Sequence, residues 1–347
     1  MSGRKQHYIP QVLLKGFSSD PEAKSPQIFV YSRQRGVYKT NTRDTAAERE
    51  FYSPIIEGER TLDDSITEYE GELAQSLAIL KQSLSVPAES SMAASVVAHL
   101  AIRNHHTRQT FEQAGTQMIR AIGDRMQDTS WVRKEMGFDK PFAQSAMKQG
   151  IRRMLQQKFP LLSATALQQM EAMALPIISA SFDKFHKSQM GEITRLTDHL
   201  QDSMGEMVKD SHAKALGKSL APEPRIEKLS CLKWTVTSAR AVLPDCVTIG
   251  VSADGNAVPY ILSNDEDLQM VFMPLAKDLV LLGVTGSGLP LSLARMEEWC
   301  AGCSADFFIA SERCEGLAQL TKLIGTRSKE LVTDLVNNAA GRSKLGK

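Results

Sequence analysis

The sequence predicts an α+β protein, and three observations predict it. Short β-branched runs separated by turn residues lie towards both ends of the chain. Between them, from Thr61 to about Lys218, internal Pro and Gly are few and apolar residues recur three and four apart. The segment "KSLAPEPRIEK" then marks the change from helical to strand pattern. The expected architecture is an N-terminal β-hairpin unit, a central helical bundle and a C-terminal, mostly antiparallel sheet with flanking helices. Its expected divisions are residues 1–60, 61–220 and 221–326, followed by a helix end and polar tail over 327–347.

Each element has its own warrant. "QIFVYSRQRGVYKTN" alternates about a "RQRG" turn as a hairpin does, and "EREFYS" offers a third extended piece. "ITEYEGELAQSLAILKQSL" and "MAASVVAHLAIRNHHTRQTF" read as helices separated at Pro87. Pro141 and Pro160 break the middle, and the longest uninterrupted helical pattern runs from Pro176. "CLKWTVTSA", "CVTIGVSADG", "LQMVFMPLA" and "DLVLLGVTG" read as strands. A helix near Leu291 to Cys300, the apolar piece "DFFIAS" and a helix over Glu312 to Ile324 follow. The terminal β pieces are expected to pack together, so that the opening motif, the Arg103 helix and the Asp245 strand share one cleft.

Composition bounds the function. The formal charge of +1 gives no global pull towards nucleic acid or an anionic membrane, but the charge is uneven. Arg43 to Glu89 holds eleven acidic and four basic residues, whereas Ser91 to Pro160 holds eleven basic and five acidic. The start "MSGRKQHYIPQ" lacks the apolar core of a signal peptide, and no run approaches the roughly 18 residues of a membrane span. Five cysteines, an odd and scattered set, fit reduced thiols. These features predict a cytoplasmic protein with no membrane partner.

The short motifs that could carry chemistry are weak. Trp299-Cys300-Ala301-Gly302-Cys303 resembles a redox pair but ends a predicted helix, where no N-terminal dipole lowers a thiol pKa, so helix-end packing is expected. In "HLAIRNHHTR" the residue four after His99 is Arg103, which disfavours zinc; Arg103 and Arg108 could offer forked donors to an anion or form a partly solvated basic face. "GVTGSGLP" lacks both phosphate-loop fingerprints and reads as a turn.

"KQHYIPQVLLKGF", the "IFVYSRQRG" hairpin, "AAEREFYS", an E-x-E-L-A-x-x-L helix, "AHLAIRNHHTRQTF" and "VFMPLAKDLVLLGV" occur in this order over nearly the whole chain. Together they resemble the uncharacterised family called domain of unknown function 4238. The resemblance brings no activity, only positions: His7, Tyr8, Pro10, Leu14, Phe17, Glu48, Phe51, Tyr52, Glu70 and Arg103. Many family members carry Ser-Asp-x-Pro after the first C-terminal strand; this chain has "VLPDCVTIG", which places Asp245 near that position without the flanking pattern.

Physically, Pro10 suits a first helical turn and Leu13, Leu14 and Phe17 form an apolar stripe. That leaves His7 and Tyr8 to explain. His7 could cap backbone groups, or it could converge with Glu48, Glu70, Arg103 and Asp245. Such a set would suit a hydrolase acting on phosphodiester bonds, a metal-assisted nuclease or phosphodiesterase of bacterial defence against foreign nucleic acid. His7 would be the base or a ligand, the carboxylates would hold Mg²⁺ or Mn²⁺, and Arg103 would neutralise phosphate. The alternative is a non-catalytic binding or sensing module for an anionic ligand or a protein partner, with the acidic and basic blocks as docking surfaces. A third reading is a scaffold, with His7 and Arg103 as core salt-bridge and capping residues.

Overall fold

The computed structural model describes residues 5–49, 51–52, 61–84, 86–141, 144–264, 266–286 and 295–339. In chain order these form β1 (Lys5–His7), α1 (Gln11–Lys15), β2 (Gln27–Ser32), β3 (Gly36–Asn41), β4 (Ala47–Arg49), α2 (Leu62–Gln82), α3 (Ser90–Arg103) and α4 (His105–Gln127). Next come α5 (Thr129–Glu135), α6 (Ala146–Lys158), α7 (Ala164–Lys218) and α8 (Glu223–Ser230). The C-terminal part holds β5 (Lys233–Ser238), β6 (Leu243–Pro244), β7 (Ile249–Ser252), β8 (Ala257–Pro259), β9 (Leu268–Ala276), β10 (Leu279–Val284), α9 (Met296–Cys303), β11 (Phe307–Ala310), α10 (Glu315–Leu320) and α11 (Thr326–Ala339). The chain is α+β, and its strand pairs are antiparallel. No helix among the described residues is long and apolar enough to cross a membrane.

Two compact units form: Met1–Gln113 with Glu206–Leu335, and Ala114–Gly205 with Val336–Lys347. The first unit contains every strand of the described residues. Its sheets run β1-β4, β3-β2-β11-β6 and β5-β10-β9-β7-β8. The middle one joins chain ends: Phe308 of β11 lies opposite Tyr31 of β2, and their rings stack at 4.9 Å. Leu13, Leu14 and Phe17 are fully buried, as the apolar stripe of α1 requires. In the five-stranded sheet Gly283 lies opposite Trp234, and a Cβ there would come within 2.7 Å of the indole. Glycine is needed at that position because the ring occupies the space of a side chain.

The second unit is helical. Gly115 of α4 meets Met204 of α7 and Gly123 meets Thr197, so the two helices run antiparallel at close range. Arg152 of α6 forks onto the carboxylate of Glu171 on α7, above a small core of Ile151, Leu155 and Leu167. Arg133 of α5 donates to the carbonyl of Ser179 at 3.0 Å and to Asp183 at 3.0 Å.

Four expectations need adjusting. The Arg103 stretch is two helices, broken at Asn104. The helix expected from Pro176 begins at Ala164 and continues through the proline, which removes one backbone donor without ending it. "CVTIGVSADG" is strand only over Ile249–Ser252, because Val247 adopts a left-handed φ of 63° that no strand accepts. The helix expected near Leu291 begins, among described residues, at Met296; residues 287–294, which include the second half of "GVTGSGLP", and the tail from 340 lie outside the described residues.

Gly283→Val should lower the stability of the first unit by about 2–3 kcal/mol, because the Trp234 ring cannot move without repacking the sheet. A urea titration checks this as a lower midpoint at unchanged slope.

Candidate functional site

The opening motif is held by its backbone. Its β1 pairs with β4, Gln6 opposite Glu48, and the Gln6 side-chain oxygen accepts the Tyr52 N–H at 2.6 Å. The His7 carbonyl accepts from Arg103 Nη2 at 2.7 Å and from the Tyr52 hydroxyl at 3.2 Å. The imidazole turns elsewhere: Gln11 Nε2 donates to its Nε2 at 2.9 Å. That leaves the proton on Nδ1, which is buried without a hydrogen bond of standard geometry; the Thr45 carbonyl is the backbone group acting on the ring. Burial lowers the His7 pKa, with Glu70 opposing.

Arg103 is 1% exposed and its donors are taken up within the fold. Nε donates to the Tyr52 hydroxyl at 2.7 Å, Nη2 also donates to Glu70, and Nη1 faces His99 Nε2 at 3.5 Å. His99 donates from Nδ1 to the Leu220 carbonyl at 2.7 Å, which fixes its neutral tautomer with Nε2 towards the guanidinium. The arrangement repeats five residues on, in α4. Arg108 Nε donates to His212 Nδ1 at 2.9 Å, His212 Nε2 donates to the Ile102 carbonyl at 2.5 Å, and the Arg108 guanidinium lies 3.6 Å over the Phe51 ring. Burial lowers the pKa of His99 to about 3 and of His212 and His106 to about 4.

Between the two arginines, Asn104 caps both helices. Its Nδ2 donates to the carbonyls of Leu100 and Ala101 at 3.0 Å each and to that of Cys246 at 3.1 Å, while its Oδ1 accepts the Thr107 N–H at 2.9 Å. The first four members of "RNHHTR" reach distant parts of the chain: Arg103 reaches β1 and α2, Asn104 the loop after β6, His105 the Tyr8 ring with centroids 5.3 Å apart, and His106 Ser328 at 2.9 Å.

Of the five residues expected to share a site, His7, Glu70 and Arg103 meet, with His7 contributing its carbonyl rather than its ring. Glu48 lies beside His105, its Oε2 3.7 Å from Nε2, with both side chains partly exposed. Asp245 is buried and accepts the backbone N–H groups of Ala305, Asp306 and Phe307, at 2.6–3.1 Å. Burial pushes its carboxyl up to about 7 against the pull of those donors. The carboxylates expected to hold Mg²⁺ or Mn²⁺ therefore answer to separate partners, and no three His, Cys, Asp or Glu side chains among the described residues converge as a metal set. Cys300 and Cys303 are buried with thiols raised well above their usual range by desolvation, which suits packing and not thiolate chemistry. Sequence reasoning did not single out His212 and Asn104; neither stands at a spacing that reveals its partner.

Arg103→Ala should destabilise the first unit by about 3–5 kcal/mol, since Glu70 and the His7 carbonyl lose their buried donor, and Arg103→Lys should recover only part of this. Urea unfolding of the three proteins measures it. A pH dependence follows from the histidines. A His pKa depressed by folding means that the unfolded chain binds the extra proton, so stability is complete above about pH 6.5 and falls as pH drops towards 4. Asp245 acts in the opposite sense over roughly the same window, and three groups outweigh one. The melting temperature should drop by roughly 10 °C from pH 7 to pH 5.

Comparison with curated proteins and with solved structures gives no match. A family model described as "Protein of unknown function (DUF4238)" matches residues 5–312, and the chain belongs to that family.

Proposed function

We propose that this chain is a non-catalytic binding module that recognises an anionic ligand through its helical unit, with the strand-bearing unit as scaffold. The groups a hydrolase would need at the opening motif are already engaged in holding the fold: Arg103 is enclosed and Asp245 clasps backbone. The observation that carries the reading lies in α6 and the turn after it. From Gln144 to Met170 the chain holds Lys148, Arg152, Arg153 and Lys158 and no Asp or Glu. Glu171 neutralises Arg152, whereas Arg153 and Lys158 are exposed and have no carboxylate partner among the described residues. Uncompensated cations on one short helix form an electrostatic footprint for phosphate-bearing ligands.

One observation favours a hydrolase instead. Glu48 and His105 form an accessible carboxylate and imidazole pair, and burial lowers the His105 pKa, so the ring is neutral and able to accept a proton near pH 7.

The two readings separate in one experiment. Fluorescent single-stranded DNA, RNA and inorganic polyphosphate are titrated with the protein at low and moderate salt, and the nucleic acids are then run on a gel after incubation with Mg²⁺ or Mn²⁺. The expected result is salt-sensitive binding of uncut ligand, weakened about tenfold or more by Arg153→Glu with Lys158→Glu and unchanged by His105→Ala. Cleavage that disappears in His105→Ala would replace the binding reading with the hydrolase one.

A further inference from the structure

The turn that follows the basic helix carries an apolar tip. Phe159 is 40% exposed, Leu161 100% and Leu162 38%, and Met154 on α6 is 54% exposed beside Arg153. The turn is well ordered by its own hydrogen bonds: the Phe159 N–H donates to the Leu155 carbonyl at 2.8 Å, the Leu162 N–H to the Phe159 carbonyl at 3.2 Å, and the Ala166 N–H to the Ser163 hydroxyl at 3.2 Å. Leu161 lies wholly in solvent, whereas Phe159 and Leu162 each leave about two fifths of their surface open and pack the rest against the chain. Among the described residues nothing covers Leu161, which stands at the tip of the turn.

We infer that the anionic ligand of this unit is a membrane surface, with Phe159, Leu161 and Leu162 entering the acyl boundary and Lys158 and Arg153 meeting the headgroups. This rests on the binding reading above and adds what that reading leaves unexplained. A nucleic acid or a free phosphate would engage the cations and leave Leu161 and the open faces of Phe159 and Leu162 in water. A bilayer takes both, because an apolar tip buries about 5–10 Å into the headgroup and acyl boundary while Lys and Arg stems extend back to the phosphates. Single exposed leucines need no explanation, but a wholly exposed one flanked by Phe159 and Leu162 and backed by unpaired cations does. The expectation of no membrane partner came from net charge and from the lack of a spanning apolar run, and neither registers a cluster of this size.

The test uses the full chain, co-sedimented with vesicles of phosphatidylcholine alone and of phosphatidylcholine mixed with phosphatidylglycerol, alongside the polyphosphate titration. The protein should pellet with the anionic vesicles and not with the neutral ones. Leu161→Asp with Leu162→Asp should weaken vesicle binding by at least about tenfold and leave polyphosphate affinity intact, whereas Arg153→Glu with Lys158→Glu should weaken both. All four positions are exposed, and unchanged helical circular dichroism confirms folding. Polyphosphate binding without vesicle binding overturns the membrane inference and leaves the binding reading in place. Binding of neither overturns both. Vesicle binding that survives the leucine double variant overturns the insertion of the tip.

Discussion

A guanidinium at the centre of the first unit has to be satisfied, and much of that unit is arranged to do it. Arg103 is almost completely removed from water, where an unpaired charge would cost several kcal/mol. Its partners come from four places: the backbone of β1, the hydroxyl of Tyr52, the carboxylate of Glu70 on α2 and the imidazole of His99 one helical turn earlier. The N-terminal strand is only three residues long and could not dock on ladder hydrogen bonds alone. The arginine turns the end of that strand into an obligatory ligand of the helix, so the opening motif and the Arg103 helix depend on each other.

The neutral histidines extend the same logic. An arginine has five donors and no acceptor, and a buried one in a helix cannot reach enough carbonyls unaided. A neutral imidazole supplies an acceptor on one nitrogen and passes the second hydrogen bond on to a carbonyl, Leu220 for His99 and Ile102 for His212. Protonation would place a second cation against each guanidinium. This is why burial and the neighbouring arginine both act to lower the pKa of His99 and His212.

The pattern of elements was legible in the sequence because period and turn residues are local properties. β9 spans the residues of "LQMVFMPLA", and the hairpin of β2 and β3 turns at "RQRG". The break at Asn104 was not legible, since asparagine is tolerated in helices and acts here by reaching the Cys246 carbonyl, 142 residues away. The irregular segment after β6 was hidden for a similar reason: β-branched "CVTIG" reads as strand, while Val247 is buried in a left-handed conformation with its N–H on the Pro244 carbonyl and Asn104 on the Cys246 carbonyl. For the site, the meeting of His7, Glu70 and Arg103 was within reach of pattern reasoning, but the atom involved was not. A side chain draws chemical attention, and here the carbonyl carries the contact.

A motif that spans the family need not mark where a ligand binds. Residues whose partners lie far apart in the chain and whose donors and acceptors are used up internally constrain sequence as strongly as a catalytic set would, because each substitution leaves a buried group unpaired. The surface of α6 and its turn works under the opposite condition. Nothing in the fold requires a fully exposed leucine or a helix face without carboxylates, so these features are neutral or unfavourable for the isolated chain in water. The opening motif is thus accounted for by the fold, and the exposed tip and cations of the helical unit are not.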